Sequence, residues 1–214
     1  ENNQSLVPAL ICHLGTDVNG EILTNIRGYL EGKMDFRFDT MVDHILVENG
    51  EYKGITIGEE TIASKYLIAA PGREGSEWFV KEVEHIGLRL TSNAVDLGVR
   101  VEMPAEVMEK ITDIVYESKF IYYSKTFDDR VRTFCMNPYG FVVPENNDGL
   151  LTVNGHSFAH KRSGNTNFAL LVSKSFTEPF HEPITYGKHI ARLANMLGGG
   201  VLVQRLGDLR DGRR

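Results

Sequence analysis

Five short runs with β-strand character follow one another between Phe120 and Val172, and they constrain the fold more than any other feature of the sequence. They are rich in aromatic and β-branched residues and cover residues 120–124, 131–136, 141–144, 150–153 and 168–172. Asn146-Asn147-Asp148-Gly149 separates two of them as a turn, because Asn, Asp and Gly tolerate turn backbone conformations. Short runs joined by turns predict a mixed or antiparallel sheet.

Helical periodicity marks four other segments. Apolar residues recur near the 3.6-residue spacing of a helix in segments that begin after Thr16, after Ser76, after Pro104 and at Ile184. The last segment runs into Gly198-Gly199-Gly200, which we interpret as a C-cap and loop, and a short strand is predicted at 201–203. Helices and strand-like runs in one chain predict a mixed α+β fold.

The first third of the chain carries its own strand signals. Strict alternation of apolar and polar residues predicts a strand over 34–40. Asn49-Gly50 predicts a hairpin between strands at 43–47 and 52–57. The run 61–70 ends in residues that do not alternate between apolar and polar, so it is predicted as a strand buried on both sides. It stops at Pro71-Gly72, and a domain boundary is expected near residues 72–78.

Composition excludes several classes of protein. The 214 residues carry a net charge of −6, which argues against a nucleic-acid coat or an anionic-membrane binder. Two cysteines give no disulfide framework, no His or Cys spacing indicates a metal site, and no apolar run reaches membrane-spanning length. We expect a cytoplasmic protein. The chain starts at Glu1 and stops at Arg214 as if both ends were cut, so its length is a poor guide to its domain count.

Two short segments are candidates for ligand contact. Ala69-Ala70-Pro71-Gly72-Arg73 ends the predicted buried strand on a turn that a ligand can approach closely, with a tight turn and a solvated Arg73 as the equal alternative. Gly15-Thr16-Asp17 stands at the mouth of a helix, where backbone N–H groups bind anions. An ordinary N-cap, made by Asp17 or Asn19, is the favoured interpretation there.

The remaining chemistry is ambiguous. A catalytic thiolate at Cys135 needs a cationic neighbour, but Arg132 would face the other side of the strand, so a structural cysteine is favoured. His156 and Ser157 follow a strand-like run, with His160, Lys161 and Arg162 close behind. A hydrogen-bonded loop histidine is favoured over a proton donor at His156. The chain has no G-x-G-x-x-G or Walker motif, so it lacks a main phosphate loop.

Several segments in order resemble the bacterial FAD-dependent dehydrogenases, flavoproteins with a Rossmann-type FAD domain and an inserted substrate-type domain. The matching segments are His13-Leu14-Gly15-Thr16-Asp17, Asn25-Ile26-Arg27, Ile68-Ala69-Ala70-Pro71-Gly72-Arg73 with Trp78, Gly98-Val99-Arg100-Val101-Glu102, Arg132-Thr133-Phe134-Cys135-Met136 with Pro138 and Gly140, Asn154-Gly155, Asn167-Phe168-Ala169-Leu170, and Val203-Gln204-Arg205-Leu206-Gly207-Asp208.

The resemblance implies that the chain is an internal fragment of a longer flavoprotein. Residues 1–75 would be a partial FAD domain, 76–180 an inserted α+β substrate domain, and 181–214 a return towards the FAD domain. The parent would bind FAD, with NAD(P)H as a possible donor, while the fragment alone would neither hold FAD nor be active. Gly15, Thr16, Asp17, Pro71, Gly72 and Arg73 are the expected cofactor contacts.

The resemblance also leaves the catalytic residues open. Arg100, Glu102, Cys135 and His156 are expected to shape a substrate pocket, with no catalytic step assigned to any of them. Relatives often have a second cysteine where Asn137 stands and a glycine where Tyr139 stands, so dithiol chemistry is not expected. The expected function is an FAD-dependent oxidoreductase acting on a small molecule, with no metal. The alternative is a non-enzymatic flavoprotein-like module that binds a nucleoside, RNA or a protein partner. The substrate, the choice of NAD or NADP, and the oligomeric state stay open.

Overall fold

The computed structural model describes residues 4–6 by their backbone, and residues 14–147, 149–177 and 182–213 in full. The strands are β1 (Gln4–Leu6), β2 (His44–Glu48), β3 (Glu51–Ile57), β4 (Glu60–Ala63), β5 (Val95–Pro104), β6 (Phe120–Tyr123), β7 (Arg130–Asn137), β8 (Phe141–Asn147), β9 (Leu150–His156) and β10 (Asn165–Lys174). The helices are α1 (Thr16–Leu30), α2 (Ser76–His85), α3 (Glu109–Thr112), α4 (Pro183–Gly198) and α5 (Leu206–Arg210).

The chain divides into two compact units. The first unit contains the residues up to 26 together with those from 92 onward, and the second contains residues 27–91. Helix α2 therefore groups with the strands before it, although a domain was predicted to begin at residue 76. The assignment of 1–75, 76–180 and 181–214 to parts of a flavoprotein stays a prediction.

The first unit is built on a five-stranded sheet with the order β1-β6-β7-β10-β5. Every neighbouring pair for which a register is defined runs antiparallel. Strands β8 and β9 form a separate antiparallel hairpin. Buried Met136, Phe168 and Ala169 form the apolar centre of this unit. The predicted sheet over 120–172 is thus divided between the two ladders.

A β-bulge interrupts the pairing of β7 with β10. Asn137 is opposite Asn167, whereas Phe134 is opposite Ala169, so β7 carries an extra residue between these pairs. Within the bulge, Cys135 has a φ of +48°, a left-handed conformation that is uncommon for a residue with a side chain. The bulge alters the direction of the backbone at Cys135.

The second unit is the antiparallel meander β2-β3-β4 with helix α2. Asn49 and Gly50 have φ values of +52° and +77°, as a type I′ hairpin turn requires, so the predicted hairpin is confirmed. Helix α2 is fixed to the meander by the buried carboxylate of Glu82, whose Oε2 accepts the N–H of Ile45 at 2.8 Å. The Trp78 indole also donates to the carbonyl of Asp43 at 2.9 Å.

The mixed α+β class is confirmed, and so are the helices predicted after Thr16, after Ser76 and from Ile184. Gly199 ends α4 in the left-handed conformation, with a φ of +62°, as a glycine C-cap does. No helix within the described ranges is both long enough and apolar enough to cross a bilayer.

Other predicted elements were wrong. The strand predicted over 61–70 ends at Ala63, where β4 stops pairing with β3. In the described part of the chain no strand pairs with residues 64–70, and Ile68 is 93% exposed. The predicted strands at 34–40 and 201–203 are not strands either, although apolar and polar residues alternate along 34–40. The helix predicted from Pro104 is reduced to a 3-10 turn and the short α3. Helix α5 was not predicted.

Candidate functional site

A line of hydrogen bonds runs from the exposed side chain of Tyr116 into the interior of the first unit. The Tyr116 hydroxyl donates to Ser157 Oγ at 2.6 Å, and Ser157 Oγ donates to Asn137 Oδ1 at 2.8 Å. Asn137 Nδ2 then donates to the carbonyl of Cys135 at 2.8 Å. Asn137 and Ser157 are buried, with 2% and 5% of their surfaces exposed. Because an amide oxygen can only accept, Asn137 fixes the direction of donation along the line.

Arg100 continues this line from strand β5. Its Nη2 donates to the Cys135 carbonyl at 2.6 Å, and its Nε and Nη2 both reach Asn167 Oδ1, at 2.9 and 2.7 Å. Burial lowers the pKa of Arg100, but a guanidinium stays charged at neutral pH. The bulge at Cys135 thus presents one carbonyl to both Arg100 and Asn137. We call Arg100, Tyr116, Cys135, Asn137, Ser157 and Asn167 the buried polar network. Its centre is buried at Asn137, Ser157 and Asn167, Arg100 and Cys135 are half-buried, and Tyr116 reaches the surface.

The network contains an unsatisfied donor. Asn167 is fully buried, and its Nδ2 has no hydrogen-bond partner among the described residues. The hydroxyls of Thr166 and Ser118 are also buried, and neither has a hydrogen-bond partner among the described residues. A buried donor left without a partner costs about 1–3 kcal/mol. The first unit therefore keeps costly polar groups in its interior.

A glycine is needed where the network is most crowded. A Cβ at Gly155 would overlap Arg100 Nη2, Asn137 Nδ2 and Asn167 Oδ1. The residue therefore lets strand β9 pass directly over three polar side chains.

The network begins at the wall of a cavity. This Tyr116 cavity, of about 560 Å³, is lined among others by Thr112, Asp113, Ser157, Lys161 and Arg162. Its volume lies in the range of small-molecule sites. Burial raises the pKa of Tyr116, so its phenol is protonated at neutral pH. The cavity wall thus combines a fixed hydroxyl with two cationic side chains.

The segment Gly15-Thr16-Asp17 forms part of the same site by holding a loop. The Thr16 N–H donates to the Ser157 carbonyl at 2.7 Å, and the Asp17 carboxylate accepts the N–H groups of Ala159 and His160 at 2.7 and 3.1 Å. The bond from Ala159 is the main reason that the pKa of Asp17 is lowered. A Cβ at Gly15 would overlap the backbone of Ala159, so a glycine is required there.

These contacts bear on the cofactor role predicted for the segment. The N–H groups of Thr16 and Val18 are both donated within the chain, the second to the Gly15 carbonyl at 3.1 Å. The predicted cofactor contact of Gly15, Thr16 and Asp17 stays a prediction, although these two donors are already in use. Asp17 also does not cap its own helix from outside, because α1 already includes it.

The turn Pro71-Gly72-Arg73 lies in the second unit. Pro71 lines a cavity of about 820 Å³, which we call the Trp78 cavity, together with apolar Ile45, Leu67 and Ala69. Gly72 has a φ of +69°, and a Cβ there would meet no atom within 4 Å. The Arg73 carbonyl accepts the Ser76 hydroxyl at 2.7 Å, which joins the turn to α2. The backbone at Gly72 is therefore open to approach.

The four residues predicted to shape a pocket are only partly brought together. Arg100 and Cys135 meet in the buried polar network. Glu102 lies on the same strand as Arg100 but is exposed. The ring of His156 lies 6.3 Å from that of Phe158. The pocket role of all four stays a prediction.

Sequence reasoning did not identify Tyr116 or Asn167 as site residues. Tyr116 lies in an irregular segment without a motif, so no local signal marks it. Asn167 did carry a signal, because it stands next to an apolar run predicted as a strand. A buried asparagine there must form hydrogen bonds, or it destabilises the fold.

Comparison with known proteins gives a family match. Residues 94–214 match the family model described as FAD-dependent protein, C-terminal domain-like. This is more than half of the chain, and it includes the whole buried polar network. No curated protein matches the chain. Within the described ranges, no three His, Cys, Asp or Glu side chains are grouped as a metal ion would require.

Proposed function

We infer the function from the family: the chain belongs to the FAD-dependent proteins, through the C-terminal domain-like region at residues 94–214. The proposed function is that of an FAD-dependent oxidoreductase whose first unit binds a small-molecule substrate in the Tyr116 cavity. FAD, when bound, supplies the redox chemistry, and NAD(P)H is the proposed electron donor.

The observation that carries the substrate site is the buried polar network that ends at the Tyr116 cavity. Buried polar groups weaken a fold unless all of them are paired, and Asn167 Nδ2 has no partner among the described residues. Natural proteins break such packing rules mainly at functional sites. Apolar side chains at these positions would make the folded state more stable, so the polar ones are not explained by stability.

The network has a definite role for the substrate. Arg100 and Asn137 hold the Cys135 carbonyl, and Asn137 in turn orients Ser157 and Tyr116. Each side chain is fixed by the next, so the Tyr116 hydroxyl is held in place before any ligand arrives. Such preorganisation lowers the entropy cost of binding. Tyr116 and Ser157 are therefore proposed to orient the substrate at the cavity wall.

Cofactor contacts are predicted at residues 15–17 and at residues 71–73, and only the second segment fits FAD. The open backbone at Gly72 and the largely apolar wall of the Trp78 cavity fit contact with an uncharged part of FAD. The N-terminus of α1 fits a pyrophosphate poorly, because Thr16 and Val18 donate their N–H groups within the chain. We propose Pro71, Gly72 and Arg73 as cofactor-contacting residues of this chain.

The test uses the product of the complete reading frame that encodes this chain. We expect the purified protein to show flavin absorbance, and we expect NADH or NADPH to bleach it under anaerobic conditions. Absence of flavin would contradict the proposed function. A flavin that neither pyridine nucleotide reduces would remove the proposed donor. A flavin that no donor or acceptor turns over would favour the non-enzymatic binding module, although the net charge of −6 counts against RNA as its ligand.

A further inference from the structure

Two cationic side chains from consecutive residues, Lys161 and Arg162, line the Tyr116 cavity. Lys161 Nζ lies 4.6 Å from the ring centroid of Phe141, and Arg162 Cζ lies 5.1 Å from that of Tyr139. A cation over an aromatic face is attracted to it, which limits the movement of both side chains. Neither cation forms an ion pair with a carboxylate in the described part of the chain.

The loop that carries these cations is fixed at both ends. On one side, the Asp17 carboxylate accepts the N–H groups of Ala159 and His160. On the other side, the Ser163 N–H donates to the Tyr139 carbonyl at 2.8 Å, and its hydroxyl donates to the Gly140 carbonyl at 2.5 Å. The cations are therefore positioned by the fold.

The lining of the cavity carries two cations, Lys161 and Arg162, and one carboxylate, Asp113. Asp113 is a lining carboxylate, but it forms no ion pair with either of them. Glu109 is nearby and accepts the Tyr139 hydroxyl at 3.0 Å. Asp17 is occupied by two N–H groups. Within the described ranges, Lys161 and Arg162 are thus two cations without a carboxylate partner, in a chain whose net charge is −6.

We propose that the Tyr116 cavity binds the carboxylate group of an organic ligand through Lys161 and Arg162. The proposal rests on the proposed function only in taking this ligand to be the substrate. A guanidinium and an ammonium suit a carboxylate, because both supply charge-assisted hydrogen bonds. Phosphate sites typically add backbone N–H groups, but those of Thr16, Ala159 and His160 are already donated within the chain. These three N–H groups are therefore not available to a phosphate, and the phosphate arm of the titration tests the choice between the two anions.

The test is an NMR titration of the isotope-labelled chain, with malonate as the probe. Its neutral analogue malonamide and inorganic phosphate are the comparison ligands. We expect malonate to shift the amide signals of the 158–162 loop, and we expect malonamide to leave them unchanged. The variant K161Q/R162Q should bind malonate at least about tenfold more weakly. The control variant K125Q/R130Q removes two exposed cations of the β6–β7 hairpin and should bind as the wild type does.

A third variant tests the sign of the electrostatic effect. D113N removes a negative charge from the cavity wall and should tighten malonate binding. The proposal is overturned if malonamide binds as well as malonate, if K161Q/R162Q binds unchanged, or if phosphate binds more tightly than malonate. The titration involves no flavin. Its failure is therefore distinct from a failure of flavin reduction in the complete protein.

Discussion

Arg100 gives two hydrogen bonds to a single atom of Asn167, with Nε and Nη2 at 2.9 and 2.7 Å from Oδ1, while Nδ2 of the same amide has no partner in the described structure. The two residues lie on neighbouring strands, β5 and β10, that pair antiparallel. Arg100 therefore satisfies one half of a buried amide and leaves the other half unpaired.

We expect Arg100→Met to lower the free energy of unfolding by about 2 kcal/mol, because Asn167 then loses its buried partner altogether. In the double variant R100M/N167L both polar groups are gone, so the loss should be smaller than the sum of the two single losses. Urea denaturation followed by circular dichroism measures each value. Arg132→Met is the matched control, because Arg132 is also a half-buried arginine, but it pairs with the more exposed Asp96 and leaves no buried amide unpaired, so it should cost about 1 kcal/mol or less. Equal losses for R100M and R132M would show that Arg100 has no special role.

We expect Gly155→Ala to destabilise the first unit by about 1–3 kcal/mol, since the new methyl group overlaps Arg100, Asn137 and Asn167. Gly164→Ala is the matched control. A Cβ at Gly164 would meet no atom within 4 Å, so that variant should be nearly neutral. The midpoint of urea denaturation compares the two. Similar midpoints for both variants would mean that the network yields to the methyl group at little cost.

The buried carboxylate of Glu82 should make the second unit sensitive to acid. Burial raises the pKa of Glu82, but the bonds from the Ile45 N–H and the His44 ring outweigh it and lower the pKa overall. A lowered pKa in the folded state gives stability that is present above the ordinary value of about 4.3 and is lost as the pH falls through the lowered pKa. Glu82→Gln should be less stable than the wild type at neutral pH, and the difference should shrink in acid.

Trp78 provides the measurement for Glu82, because it is the single tryptophan and lies on α2. Its fluorescence during urea denaturation reports the unfolding of the second unit at each pH. Glu84→Gln is the matched control, since Glu84 lies on the same helix but is exposed. If the loss in E82Q were the same at every pH, its cause would be packing and not charge.

Local signals explain which elements were predictable. Asn49-Gly50 determines its own turn, because both residues adopt positive φ at little cost, and Gly199 ends α4 within one turn of the chain. The segment 61–70 carries an equally strong apolar signal, but a strand forms only where another strand pairs with it, and in the described structure this pairing ends at Ala63. Ile68 is instead exposed. The local sequence shows that a segment can form a strand, but it does not show whether another strand lies beside it.

The site was less predictable than the fold, for the same reason. Ser157 and Asn137 were noticed only as part of a polar cluster and as a departure from a family pattern. Their partner Tyr116 lies 41 residues before Ser157, so no local spacing could connect them. Asp17 was taken for a helix cap, because the sequence does not show that Ala159 lies beside it. The network depends on contacts between distant parts of the chain.

Finally, we expect Asp17 to hold the loop that carries Lys161 and Arg162. Asp17→Ala removes the acceptor for the N–H groups of Ala159 and His160, which lie about 140 residues away in sequence. Hydrogen exchange at these two amides should become faster, and malonate affinity should fall because the cations are no longer positioned. Asn19→Ala is the matched control, an exposed position on the same helix, and should change neither. Unchanged exchange at Ala159 and His160 in D17A would show that the loop is held without Asp17.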